Sequence, residues 1–391
     1  MICARVPCRW LPVVIALLPV CLGAKAQPLL PGNTYFSPNG HIEYRCGDLP
    51  LIVSVPHGGS LEPVDIPDRT CNSPVYDVDA NTVELSLAID SAFQAHGGCR
   101  PHLIINHLAR RKLDANRNLT DGACGDPQAV LAWNAFHDFI DSASATVTAQ
   151  TAKGFYLDLH GHGHAIQRVE LGYLLYEDEL ALPPATLNSS TYINYSSIRN
   201  LAGNNQQGLT HAQLLQGQYA LGTLLADAGY PAVPGQQDPF PLAGQPYFSG
   251  GYNVAQHSSY AGGTIDGVQV ECYYTGIRGT AADRSRFADS LVVVIEAYFD
   301  RHYFIPGSTC TTGIEARPGL SDQRVFPNPA TDRVTVAWPA GTSATVRVND
   351  LLGRVWIVQR CEGWLDITSL PAGMYTISAV DLGFRATFVK E

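Results

Sequence analysis

The chain has 391 residues, 46% of them hydrophobic and 15% charged, which is enough apolar side chain to bury a sizeable core in more than one folded unit and excludes overall disorder. A formal charge of −10 offers no basic footprint for phosphate and argues against a nucleic-acid partner. No stretch after residue 30 is long and apolar enough to give a stable membrane span.

Residues 1–26 join Arg5 and Arg9 to an apolar run from Leu11 to Leu22 and the small-x-small triplet Ala24-Lys25-Ala26, the pattern of a cleaved secretory signal peptide. Pro12 and Pro19 would interrupt a buried helix in their place. Export puts the remaining cysteines, Cys46, Cys71, Cys99, Cys124, Cys272, Cys310 and Cys361, in an oxidising compartment. The pairing expected is Cys46 to Cys71 and Cys99 to Cys124 as local closures, with Cys272 to Cys310 as the remainder, although spacing alone does not fix connectivity. No CxxC pair occurs, so a thiolate zinc site is not expected.

From Leu51 to about Phe304, short apolar runs alternate with longer amphipathic ones, which predicts an α/β body. LPLIVSVPHGG reads as a buried strand ended by Pro56 and Gly58-Gly59, followed by a long turn-rich loop and a helix over 80–95. HLIINHLA is a second strand, VLAWNAFHDFIDSASATV a second helix and GFYLDLHG a third strand. AQLLQGQYALGTLLADAG predicts one helix over 212–229, stopped by Gly229 and Pro231. VQVECYY is a further strand, and a long helix begins near Asp283, its expected N-cap. The Gly-, Ser-, Thr- and Pro-rich segment 305–324 reads as a linker. Beyond it RVTVAWP, TVRVNDLLGRVWIV and MYTISAV alternate apolar and polar residues between turns, the pattern of a small all-β sandwich over 325–391.

Chemistry-bearing residues gather at the predicted strand ends, where α/β folds place ligands. On a strand Tyr156, Asp158 and His160 share one face while Phe155, Leu157 and Leu159 share the other. His57 follows an apolar strand, with glycines beside it that let the backbone approach a ligand. Asp77 and Asp79 precede a helix and Glu84 lies within it, so two imidazoles and one carboxylate are present for a three-ligand catalytic zinc site. Arg110, Arg111, Lys112 and Arg117 cluster in an otherwise acidic chain, and arginine suits bidentate recognition of a carboxylate. Glu271 alternates with Val268, Val270 and Cys272, so it points away from the face they bury, either exposed or poised as a base.

VFPNPATDRVTV, DLLGRV and LPAGMYTI resemble the C-terminal sorting domain of the type IX secretion system, which implies contact with that machinery, a secreted or cell-surface location and removal of the tail. SVPHGG, the Asp79 region, LDANRN, DLHGHG, YFSGGYNVAQHS and GVQVE resemble, in the same order, the N-formylglutamate amidohydrolase family of the zinc exopeptidase-like superfamily. That resemblance implies a three-layer body over 27–304 with a central mixed sheet between helices, one zinc ion (Zn2+), and hydrolysis of an amide next to a carboxylate in a small peptide-like or acidic amide substrate. It assigns His57, Asp79 and His160 to the metal, with Asp77 and Glu84 as alternatives to Asp79 and His162 as an alternative to His160. It assigns Asn116 and Arg117 to the substrate carboxylate and Glu271 to the general base, and Arg110 or Arg111 would stabilise an oxyanion. A catalytically inactive binding protein with the same fold is the alternative. A serine hydrolase is remote, because no GxSxG elbow occurs.

Overall fold

A computed structural model describes residues 29–304, 325–327, 329–336, 343–350, 355–379 and 384–391; residues 1–26, expected to be a signal peptide, residues 305–324, expected to be a linker, and with them Cys310 lie outside these. In chain order the body begins with β1 (Thr34–Phe36), β2 (Ile42–Arg45) and β3 (Leu51–Val55), then α1 (Thr82–Gly97), β4 (His102–Asn106), α2 (Leu119–Ala123), α3 (Pro127–Thr151), β5 (Gly154–Gly161) and β6 (Val169–Gly172). Short helices follow, α4 (Glu177–Leu180), α5 (Pro184–Leu187), α6 (Ser190–Tyr195), α7 (Arg199–Asn204), α8 (His211–Gln216) and α9 (Leu221–Asp227). The body ends with β7 (Ala232–Val233), α10 (Tyr252–His257), β8 (Ile265–Cys272) and α11 (Ala281–His302).

The eight strands form one mixed sheet in the order β1-β2-β4-β3-β5-β8-β6-β7. Strands β4, β3, β5 and β8 run parallel, and β6 returns antiparallel to β8. The chain moves from β3 outward to β4 and then crosses back to β5 on the other side of β3. This reversal opens a crevice at the carboxyl ends of β3 and β5, the usual ligand position in open α/β sheets.

Alternation along the strands builds two cores and hence three layers. Val53, Val55, Leu103, Leu157, Leu159, Val268 and Val270 pack with Leu85 and Ile89 of α1 and Leu291 and Ile295 of α11 on one face. Ile52, Ile104 and Tyr156 pack with Phe136, Ile140 and Val147 of α3 on the other. Full burial of each Leu or Ile contributes about 1.5–3 kcal/mol, so these faces fix the register of the strands that carry the site. Asp126 caps α3 by accepting from Gln128 N–H and Ala129 N–H, with Pro127 at the first helical position.

Three local expectations change. The helix predicted over 212–229 is two helices, α8 and α9, because the chain at Gly217 is extended and so close to α8 that a Cβ there would lie 2.5 Å from Gln213 O. The N-cap of α11 is Thr280, with Asp283 three residues on as its capping-box partner. The expected disulfides are replaced by a Cys71–Cys124 bond, with Cα atoms 5.7 Å apart. Cys99 is disulfide-bonded as well, while Cys46, Cys272 and Cys361 are free and buried. Cys46 is held under the Tyr44 hydroxyl and Cys272 faces the α1–α11 core, so neither reaches a loop partner. Among the described residues no helix is long and apolar enough to cross a membrane.

The tail forms two small antiparallel sheets. Strands β9 (Val325–Phe326), β10 (Arg333–Val336) and β13 (Trp364–Asp366) make one, in the order β13-β10-β9. The other joins β11 (Ala344–Asp350), β12 (Val355–Cys361), β14 (Gly373–Ala379) and β15 (Phe384–Lys390), in the order β12-β11-β14-β15. Val334, Val336, Val346, Val348, Leu365 and Ile377 form their shared core.

The Cys71–Cys124 bond closes a loop with a sequence separation of 53 residues and pins the segment before Asp79 to the end of α2. Replacing both cysteines by serine is expected to lower stability by about 2–4 kcal/mol, read as a fall in the urea midpoint.

Candidate metal centre and cavity

His57 leaves β3 through Pro56 and turns at Gly58-Gly59, where space is the constraint. A Cβ on Gly58 would lie 2.3 Å from Thr82 Oγ1, and one on Gly59 2.3 Å from the His107 carbonyl carbon. This tight turn brings the His57 carbonyl within 3.1 Å of Asp79 N–H, and Thr82 N–H and Oγ1–H both donate to the Asp79 carbonyl. His160 stands on β5 beside them. Asp79 Oδ2 lies 3.0 Å from His160 Nδ1 and 3.6 Å from His57 Nδ1, and accepts Gly161 N–H at 3.2 Å.

Each imidazole is held from behind by a buried carboxylate. His57 Nε2 is 2.7 Å from Asp114 Oδ1, and His160 Nε2 is 2.9 Å from Asp158 Oδ2. Both aspartates are fully buried. In the neutral ring an Nε2–H···carboxylate bond leaves Nδ1 with its lone pair free to bind a metal, and His57 Nδ1, itself buried, makes no hydrogen bond within the protein. Two imidazole nitrogens and a carboxylate oxygen within 4.8 Å of one another, one of them orphaned, are the donor set that zinc takes. The residues therefore fit the ion.

Electrostatics follow from burial and pairing. Burial alone would raise Asp79, but the adjoining His160 and His57 rings outweigh it and hold the carboxyl well below its usual range. Burial would lower His160, yet Asp158 and Asp79 raise it well above the ordinary histidine value. Asp114 is likewise lowered, its desolvation outweighed by His57, Arg110 and Arg69. Glu271 behaves in the opposite way. Burial, aided by Asp79, pushes it up to about 7 against the pull of His160 and Gln269. Its carboxylate lies 4.0 Å from His160 Nδ1 and accepts from Gln269 Nε2 at 2.8 Å.

These groups line a cavity of about 880 Å3 that also includes Arg110, Asn116, Arg117, His164, Phe248 and Tyr274. Arg110 Nε donates to Asp114 Oδ2 at 3.0 Å, and Arg117 Nε lies 3.3 Å from the same oxygen. Asn116 is engaged within the protein, its Oδ1 accepting Asn253 N–H and its Nδ2 3.2 Å from His160 Nε2. Arg111 stands outside the lining, over the Tyr76 ring and 3.8–3.9 Å from Asp68 and Glu62. Asp77 is exposed on the cavity wall and Glu84 is exposed on α1, so neither joins the cluster around His160. His162 is turned aside, with Nε2 donating to Arg168 O and Nδ1 accepting His164 N–H.

Sequence reasoning passed over Asp114, Asp158 and Arg278 as working parts. Asp158 had a signal, since it lies two residues before His160 on the same strand face. Arg278 had none. It donates to the carbonyls of Cys272, Ala80 and His162, tying the ends of β8 and β5 to the Asp79 loop.

Residues 324–384 match the family of secretion system C-terminal sorting domains. No curated protein sequence matches the chain. Among solved structures it is similar to N-formylglutamate amidohydrolase from Ralstonia eutropha JMP134, at 14% identity and TM-score 0.38 over 64% of this chain and 93% of that one. It is similar also to a gene product of Agrobacterium tumefaciens, at 13% identity and TM-score 0.40 over 66% of this chain and 95% of that one. Likenesses of this size carry no functional weight, and the chemistry below is drawn from the side chains.

Asp114→Asn and Asp158→Asn, which weaken the hold on each imidazole, are each expected to lower zinc affinity by about 10–100-fold in chelator competition. Unchanged affinity in both variants would show that the aspartates do not orient ligands.

Proposed function

We propose that residues 27–304 form a zinc-dependent amidohydrolase that cleaves an amide near a substrate carboxylate, and that the tail directs it through type IX secretion to the cell surface or beyond. The observation that carries this reading is the convergence of His57 Nδ1, His160 Nδ1 and Asp79 Oδ2, with both rings braced by buried aspartates and the buried Glu271 carboxylate 4.0 Å from His160.

His57, Asp79 and His160 would hold the ion. Zinc bound there supplies Lewis acidity, lowering the pKa of water towards ~7 and polarising a carbonyl. Glu271, made more basic by its burial, takes in its ionised form the proton of the attacking water and delivers it to the leaving nitrogen. Arg117, 31% exposed and braced by Asp114, offers its outer guanidinium nitrogens to a carboxylate. Arg110, 3.9 Å from Asp79 and on the cavity wall, adds positive charge where an oxyanion develops. An enzyme of this kind outside the cell meets peptides and N-acylated amino acids, and the arginines favour those with an acidic end.

Purified protein is expected to carry about one equivalent of zinc by elemental analysis, to lose N-acylglutamate hydrolysis when chelated and to regain it with zinc. Activity indifferent to both steps sinks the proposal. Glu271→Gln should lower kcat by about 10²–10⁴-fold while zinc stays bound, whereas a binding protein would show no turnover to lose. Arg117→Ala should raise KM about 10-fold for a carboxylate substrate and leave its amidated counterpart unchanged.

A further inference from the structure

His164 is the one histidine of the Asp158–His164 run that neither faces the metal cluster nor is consumed by backbone. Its Nδ1 lies 2.8 Å from Glu170 Oε1, and the other oxygen of this fully buried glutamate accepts Phe248 N–H at 2.9 Å. The His164 and Phe248 rings stack with centroids 4.7 Å apart and planes 17° from parallel. One buried carboxylate thus holds the His164 ring and the Phe248 backbone, and the two rings stack as a flat pair. Both rings line the cavity, and Phe248 is 43% exposed there. The pair does not make a second metal site with His162, because both nitrogens of that ring are already hydrogen-bonded.

The sheet tells where this pair stands relative to the chemistry. His160 pairs with Glu271 across β5 and β8, and Glu271 pairs with Glu170 across β8 and β6. Along the sheet edge the groups therefore run His57, His160, Glu271 and then Glu170 with its rings. Arg110 and Arg117, held by Asp114 behind His57, occupy the opposite end of the row. A substrate with its carboxylate on Arg117 and its amide beside Glu271 carries its acyl group onto His164 and Phe248. A cavity of about 880 Å3 is the size that takes drug-sized ligands, far more than a formyl group fills.

Building on the hydrolase reading above, we propose that the His164–Phe248 pair is the acyl subsite and that it selects a planar aromatic acyl group, making the substrate class N-aroyl or similarly aromatic N-acyl derivatives of acidic amino acids. An aromatic ring stacks on the pair and loses apolar surface to it, an interaction that formyl and acetyl groups lack. Glu170 is a positioning residue, acting through the His164 ring and the Phe248 backbone that it holds.

The test compares N-benzoyl-L-glutamate with N-formyl-L-glutamate on the zinc-loaded full chain. kcat/KM is expected to favour the benzoyl compound by about 10-fold or more, and Phe248→Ala should reduce that ratio about 10-fold. His164→Leu, which breaks the tie to Glu170, should reduce it too. A wild-type preference for the formyl compound, or a ratio unmoved by both variants, overturns the subsite. Calorimetric binding of the two compounds to zinc-loaded Glu271→Gln protein gives a readout independent of turnover. Tighter benzoyl binding that is lost when Phe248→Ala is added supports the subsite even if the wild type hydrolyses neither compound, in which case only the hydrolase reading fails. Equal affinities overturn the subsite whatever the turnover.

Discussion

The site depends on two aspartate–imidazole pairs buried beneath it, Asp114 with His57 and Asp158 with His160. Taking a carboxylate wholly out of water costs several kcal/mol unless its oxygens are satisfied. Asp114 meets this demand with His57, Arg110, Arg117 and Asn116 N–H, and Asp158 meets it with His160, Ser54 and Asn253. Once those bonds are made neither ring can rotate without stranding a charge. The two Nδ1 atoms are therefore aimed before any ion or substrate arrives, which is the preorganisation that metal-site affinity and catalysis both require.

Sheet topology supplies the rest of the arrangement. Parallel strands β3, β5 and β8 end at one edge, so residues far apart in sequence arrive side by side, and the antiparallel return of β6 adds Glu170 to the same row. A rigid strand register spaces the row. The loops that complete it carry the arginines and Asp79, and they are fastened separately by the disulfide and by Arg278.

Much of this was legible in strand periodicity, because burial on a two-faced sheet forces alternation. The separation of Tyr156, Asp158 and His160 from Phe155, Leu157 and Leu159 follows from it, as does the inward turn of Glu271 away from Val268 and Val270. What lay hidden depends on contacts between loops, which have no period. Cysteine pairing is one case, since Cys71 meets Cys124 only because the segment before Asp79 lies against the end of α2. The break between α8 and α9 is another. Its signal was a lone Gly217 in an otherwise helical pattern, which local propensity tolerates but close approach to Gln213 does not. Choosing among Asp77, Asp79 and Glu84 was likewise beyond spacing, since the segment before α1 decides which of the two aspartates turns inward, and Glu84 is set by the face of α1 that carries it.

Arg278 shows why a glycine between two histidines matters more than its neighbours suggest. A Cβ on Gly161 would lie 2.3 Å from the Arg278 Cζ, so the side chain is absent from that position to admit the guanidinium, not to free the backbone. The planar fork then reaches three carbonyls on three segments, those of Cys272, Ala80 and His162. Lysine has fewer protons to donate and gathers them at one point, and it has no flat edge to span segments set apart around it. A single buried cation thus couples the end of the strand bearing Glu271, the loop bearing Asp79 and the turn after His160. Their mutual distances are consequently set by the protein and not by whatever occupies the cavity.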